Sequence, residues 1–459
     1  PAMSIPQSGG GPIEHTEQMA AYLAAGCKPE SEWRIGTEHE KFGFCHANHM
    51  PLPYSGSCSI QTILEAMRDR FGWSPVLEAD KLIGLTRNEA NISLEPGGQF
   101  ELSGAPLETV HDTAIELDQH LAELSGITGE IGAGFLALGA APVWSHHKMP
   151  VMPKGRYKLM TNYMDQVGTM GKSMMYRTSC VQVNLDFSSE ADMIKKMRVA
   201  IALQPIATAL FSNSPFFNGV PVNYKSWRSR IWRDLDADRT GMLPFIFDEG
   251  FGFEAWVEYA LDVPMYFVYR NGQYIDALGQ SFRDFLKGNL PALPGEKPNL
   301  SDWADHLTTI FPEARLKKFI EMRGADVGSR DHILALSAFW VGICYDQTAL
   351  DAAWDLAKNW TEEFREALRI ACGKYGLNGQ VNGIKVLELA KDLTDIASKG
   401  LIARGRTNEV KGIKDESYFL DTLHEAIRSR KSPADRLLDL YQNNWSQNIT
   451  RIYQTARID

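Results

Sequence analysis

Cysteine is sparse in these 459 residues. There are six, Cys27, Cys45, Cys58, Cys180, Cys344 and Cys372, and none forms a CxxC pair. A thiolate zinc site or a disulfide framework needs closely spaced thiols, so neither organises this chain. Scattered free thiols read as a reducing cytosol. Positive charge is not in excess either. The formal net charge is −10, which argues against nucleic-acid or anionic-membrane partners. The longest apolar stretch, "VAIALQPIATALF", is interrupted by Gln204 and Pro205 and is too short to cross a bilayer. No signal peptide is visible, and Pro1-Ala2 ahead of Met3 reads as an expression remnant. HExxH, GxSxG and Rossmann signatures are missing, as are internal repeats. "GTMGKS" places Gly168 two residues too near Gly171 for a phosphate loop, although Lys172 remains available to an anion.

What is present is globular. The chain is 44% hydrophobic and 23% charged, enough apolar material for a full core. Residues 14–26 and 59–70 have helical periodicity, and "RIGTEHEKFGF" between them reads as a strand. "ANISLEPGGQFELSG" gives two strands about a Pro-Gly-Gly turn, and "APLETVHDTAIELDQHLAELSGITGEI" a long helix. "MPVMPKGRYKLM" reads as a loop. "SCVQVNLDFS" alternates strictly, which predicts a strand with one buried face, and a helix begins at Ser188 or Ser189. "VPMYFVYRNGQYIDAL" is a hairpin turning at Asn271-Gly272. "PALPGEKPN" is a surface loop, and helices dominate after about residue 331. The class is α+β with an antiparallel sheet and a helical C-terminal third.

Alternation also gathers charge. Glu38 and Glu40 must share one face of their strand. Glu95 and Glu101 flank the Pro-Gly-Gly turn, and Glu321 and Arg323 repeat the one-residue spacing in "FIEMRGAD". Gln182 and Asn184 supply neutral polar groups. Any one of these strands alone is more simply a solvated face. Together, with apolar opposite faces, they can line one side of one sheet. Several carboxylates held close need cations, and hard oxygen donors suit Mg²⁺ with phosphates nearby. Two basic clusters, Lys154-Arg156-Lys158 and Arg228-Arg230-Arg233, complement them. Trp227 and Trp232 lie among the second set, a combination suited to a carboxylate or phosphate. His39 points away from the glutamates and fits a structural role, and His146-His147 has no partner spacing. The residues by themselves describe a magnesium-dependent, phosphate-handling enzyme without naming a substrate.

"PVMPKGRYKLM", "VQVNLDFSSEADMIKKMR", "ALQPIATALFSNSPF", "DADRTGMLPF", "YALDVPMYF", "HLTTIFPEARLKKFIEMRGAD" and "AFWVG" closely resemble the glutamate–cysteine ligases of plants and proteobacteria, over residues 15 to 455. The resemblance implies a curved antiparallel sheet with flanking helices, as in glutamine synthetase and the guanidino kinases. One catalytic domain would cover 1–459, with 1–14 a disordered or expression-derived tail and 331–459 its mainly helical part. It implies that L-glutamate, L-cysteine and ATP give γ-glutamylcysteine, ADP and phosphate through a γ-glutamyl phosphate, the first step of glutathione synthesis. It implies two or three Mg²⁺ ions held by Glu38, Glu40, Glu95, Glu101 and Glu321, with Gln182 or Asn184 as a further metal or substrate contact. Arg323 would touch the transferring phosphoryl group and Arg228 the glutamate α-carboxylate. Arg156, Trp232, Tyr266 and Phe187 would complete the amino-acid pocket. Feedback inhibition by glutathione belongs to the same picture. Two other readings stand beside it: a ligase of this fold with a different amine acceptor, and a catalytically silent binding homologue.

In plant members of the family, cysteine pairs form regulatory disulfides. The corresponding positions here are Ala277 and Ala292 for one pair, Ala114 and Leu334 for the other. Neither bridge can form, and a monomer is favoured slightly over a homodimer. Turnover is therefore expected to stay constant when a mild reductant is added to intact protein. A several-fold change in rate would show that a thiol switch operates after all.

Overall fold

A computed structural model describes residues 6–459. Its centre is an open, nine-stranded antiparallel sheet. The strands are β1 (Ile35–Cys45), β2 (Ser74–Glu78), β3 (Lys81–Arg87), β4 (Ala90–Leu94), β5 (Phe100–Ser103), β6 (Ala133–Leu136), β7 (Cys180–Leu185), β8 (Ala314–Leu316) and β9 (Ile320–Asp326). Their order is β8-β9-β7-β1-β5-β4-β3-β2, with β6 pairing the far half of β1. β1 is central, bonded to β7 on one side and β5 on the other.

One face of this sheet is apolar and lies under helices. Val181, Val183 and Leu185 of β7 and Ile320 and Met322 of β9 are buried there. Above them pack α5 (Glu190–Leu210) and α7 (Arg330–Cys344), whose Ser337 hydroxyl meets that of Thr37 on β1 at 2.7 Å. α5 starts as its sequence dictates, with the Ser189 hydroxyl accepting from Asp192 N–H. α3 (Val110–Ile131) begins with a capping box between Thr109 and Asp112. α1 (Glu17–Ala24) and α2 (Ile60–Phe71) fall where periodicity placed them. The hairpin Phe267–Arg270/Gln273–Asp276 turns at Asn271 and Gly272, both with positive φ.

Three expectations need correction. Residues 155–164 are not loop but helix α4 (Gly155–Met164), which begins just after the prolines, where Pro no longer interrupts backbone bonding. Both faces of β7 are covered, because its polar face is roofed by cavity walls. The segment before residue 15 is docked rather than loose: Ile13 is buried, its N–H donates to Pro298 O at 2.9 Å, and Pro12 pairs with Asn299. Residues 1–5 lie outside the described part.

The C-terminal helices are anchored by a close approach. α8 (Val386–Arg404) crosses α7 where Gly400 faces Gly342. A Cβ on Gly400 would lie 1.9 Å from the Gly342 carbonyl oxygen, and one on Gly342 2.2 Å from that of Ala397. Backbone cannot yield as a flexible side chain does, so Gly400→Ala is expected to cost about 1–3 kcal/mol of stability. Equilibrium denaturation would measure it. An unchanged midpoint would show that the helices separate freely.

Candidate active site

The other sheet face is polar, and strand register arranges it in rows. Glu40 stands opposite Glu101, while Glu38 stands between Gln182 and Ser103. Asn184 stands between Gly36 and Glu321. The paired strands thus bring residues more than a hundred positions apart side by side. Glu95 follows β4 in the Pro-Gly-Gly turn, which Gln99 shapes: its oxygen accepts from Gly97 N–H and its amide donates to Met175 O and Thr178 O.

Single carboxylate oxygens of Glu40, Glu95 and Glu101 lie within 4.8 Å of one another. Burial pushes Glu40 up to about 7, and neighbouring Glu95 adds to it. Glu101 is driven well above the carboxylate range by burial, then by Glu95, Glu38 and Glu40. Glu95 is also raised by burial, although Lys154, Arg156 and Arg323 oppose the shift. The Ser103 hydroxyl donates to both Glu38 (2.8 Å) and Glu101 (3.0 Å), and the second oxygen of Glu38 has no partner. Three mutually repelling carboxylates with an orphaned oxygen beside them form an all-oxygen donor set that fits a hard divalent cation.

Glu40 and Glu95 of this group, together with Gln182, form one wall of a cleft with about 690 Å³ of empty space, part of it open to solvent. Arg156, Arg228 and Arg323 form another, and Trp232, Met160, Met174, Met175 and Phe311 supply apolar surface. α6 (Trp227–Trp232) aims Arg228 into the cleft. Its cap, Ser226, donates to Asp326, which also accepts from Asn213 N–H and the Ser214 hydroxyl. Arg228 donates to Arg323 O at 3.0 Å, and its guanidinium lies 5.3 Å from the Trp232 ring. Arg323 sits in a bulge of β9 between Met322 and Ala325, an irregularity that re-aims a side chain.

A family model for glutamate-cysteine ligase family 2 (GCS2) matches residues 34–455. Chloroplastic glutamate–cysteine ligases of Solanum lycopersicum and Arabidopsis thaliana are each 51% identical over 438 residues, 95% of this chain and 82% of the relative. The chain belongs to glutamate-cysteine ligase family 2. A solved glutamate–cysteine ligase from Francisella tularensis, in complex with AMP, matches with a TM-score of 0.54 at 14% identity, over 92% of this chain and 88% of that one. That likeness concerns the fold alone. The expectation of a cytosolic protein is overturned, since the plant family members are named chloroplastic. Free thiols indicate reducing conditions and cannot tell one reducing compartment from another.

Within this family frame, several predicted residues shift in role. Glu321 shares the polar face but lies outside the carboxylate trio. Arg315 (2.5 Å), Lys317 (3.1 Å) and Arg323 (3.7 Å) surround it. Burial would raise its pKa, but those three cations outweigh burial and hold it at about 2. Gln182 is no ligand in this arrangement, because its oxygen accepts from Arg323 at 3.2 Å and its amide faces Cys180 Sγ. Asn184 keeps an unpartnered oxygen toward the polar side. Phe187 is a correction: it is fully buried against Phe253 in the helix-facing core, as the parity of β7 demands. Tyr266 is a second correction. It is buried with its ring 4.0 Å from the Arg239 guanidinium and 5.1 Å from Tyr163, and it does not line the cleft. Lys158 of the first basic cluster is exposed, and Lys172 of "GTMGKS" is paired with Asp165. Trp227 packs on Phe217 and Tyr224.

Arg315 and Lys317 were missed, as was Thr308, which accepts from Arg156 at 3.4 Å. The signal for the first two was present: in "ARLKKFIE" a two-residue alternation puts Arg315 and Lys317 on one face of a strand paired with Glu321. The two kinds of glutamate should separate by experiment. Glu40→Gln and Glu95→Gln are expected to weaken Mn²⁺ binding by about tenfold or more, and Glu321→Gln to leave it nearly unchanged. Titration of each variant with Mn²⁺ alone checks this, and equal losses in all three would return Glu321 to the ligand set.

Proposed function

We propose that this protein joins the amino group of L-cysteine to the γ-carboxylate of L-glutamate with consumption of ATP, giving γ-glutamylcysteine, ADP and phosphate, the step that opens glutathione synthesis. The observation that carries the reading is one cleft where Glu40 and Glu95, two members of the carboxylate trio, share the lining with Arg156, Arg228 and Arg323. A carboxylate is a poor acyl donor until it is phosphorylated. Both transfer to the γ-carboxylate and later loss of phosphate build negative charge on phosphoryl oxygens, which calls for fixed cations.

Mg²⁺ is the ion that best suits the trio, with Glu38 and Asn184 available to a second ion. When bound, it would neutralise the charge of the triphosphate tail. The remaining work belongs to side chains. Arg323, held by Gln182, is placed to stabilise the transferring phosphoryl oxygens. Arg228, stacked near Trp232 and fixed through its helix cap, suits a bidentate grip on the glutamate α-carboxylate. Arg156, near the Phe267 ring (5.1 Å) and Thr308, suits a second carboxylate. The methionines and Phe311 exclude water from an activated acyl group that water would hydrolyse. Occupation of the amino-acid subsites by glutathione, which carries the same glutamyl and cysteinyl parts, would produce feedback inhibition.

Release of ADP with glutamate plus cysteine, 2-aminobutyrate or ammonia tests the acceptor. Cysteine is expected to be preferred and 2-aminobutyrate, its near isostere, to be used less well. A preference for ammonia would overturn the assignment and favour the sister ligase reading. Arg323→Ala is expected to lower kcat by about 10²–10³-fold. Wild-type turnover in that variant would remove Arg323 from the chemistry.

A further inference from the structure

Two of the six cysteines meet at the edge of the fold. Cys45 ends β1, and Cys58 lies thirteen residues later, one position before the Ser59 cap of α2. Their sulfur atoms are 2.9 Å apart, inside the contact distance of two unbonded sulfurs. Both residues are half-buried, so the pair is packed yet reachable. Cys180, Cys344 and Cys372 are buried, and Cys27, the remaining half-buried thiol, has no thiol partner among the described residues.

The backbone already holds both positions. Cys45 N–H donates to Met50 O and its carbonyl accepts from His49 N–H, both below 3 Å. Around Cys58, Ile60 N–H donates to Pro53 O and Gln61 N–H to Tyr54 O. The Ser59 hydroxyl accepts from Thr62 N–H and donates to Gly56 O. Joining the sulfurs would thus require little further ordering of the folded chain, while it would restrict the unfolded one.

We propose that Cys45 and Cys58 are a site of thiol–disulfide exchange, and that a small-molecule disulfide converts them to an intramolecular bridge that clamps the start of α2 to the end of β1. Burial, and then the adjoining Cys45, push the Cys58 thiol up to about 12, which makes Cys58 the poorer first attacker and assigns the first attack to the Cys45 sulfur. It attacks one sulfur of the small-molecule disulfide, forms a mixed disulfide and releases one thiolate. Cys58 then loses its proton and attacks Cys45 Sγ, which expels the second thiolate. Two protein thiols are oxidised, one disulfide is reduced to two thiols, and the protons pass to the leaving thiolates. Neither cysteine lines the cleft, so the clamp acts on stability and not on turnover, independently of the reaction proposed above.

The test treats the full chain with oxidised glutathione and maps its peptides without reduction. A Cys45–Cys58 cross-linked peptide is expected, together with a Tm that rises by a few degrees, falls back on reduction and does not move in Cys45→Ser or Cys58→Ser. Cys27 should carry only a mixed disulfide, and kcat should be the same in both redox states. Stable mixed disulfides at Cys45 or Cys58 without the bridge would overturn the proposal, as would a bridge that leaves Tm unchanged.

Discussion

Side chains alternate along a strand, so a sheet that buries one face in a helical layer must commit its other face at every position. Here that constraint governs the site. Val181, Val183 and Leu185 are fully buried beneath α5 and α7, and this fixes β7 against β1 and β9. A slip of one residue would drive Gln182 and Asn184 into the helices and lift the valines into the cleft. The carboxylates do not hold themselves together; the apolar face does it for them. Packing energy on one side of the sheet maintains an electrostatically unfavourable cluster on the other.

The polar face divides into two electrostatic regimes. Around Glu321, the folded chain supplies its own cations, and Arg315, Lys317 and Arg323 outweigh the cost of burial. Around Glu40 and Glu101, burial and like charge prevail and the carboxyls are pushed upward. One cluster is balanced by cations from within, and the other is not. Arg323 stands at the border, touching Glu321 on one side and the cleft on the other. That position links the internal network to whatever anion enters.

Part of the cleft wall comes from segments that are not in the sheet. α4 brings Arg156, α6 brings Arg228 and Trp232, and the turn after β4 brings Glu95. Each is fixed by a buried polar anchor: Asp326 beneath the start of α6, Gln99 within the Pro-Gly-Gly turn, Thr308 beside Arg156. Such anchors fix each segment without making it part of a ladder, so that it presents its charge at a defined place.

Much of this was legible in the chain itself. Period-two alternation gave the shared face of Glu38 and Glu40 and the opposing faces of β7, and Ser, Thr and Gly marked helix ends, because these depend on neighbours a few residues away. The same local rule, applied consistently, would have excluded Phe187 from the pocket. What alternation within one strand does not show is which cation meets which carboxylate. Glu321 reads like Glu40 in isolation, yet the register of β8 with β9 surrounds it with cations, while the register of β1 with β5 leaves Glu40 facing Glu101. The burial of Tyr266 against Arg239 and the meeting of Cys45 with Cys58 are of the same kind. Alternation and capping are properties of consecutive residues and survive in the unfolded string; charge compensation and sulfur contact depend on distances across paired strands and loops, which exist only once the chain has closed on itself.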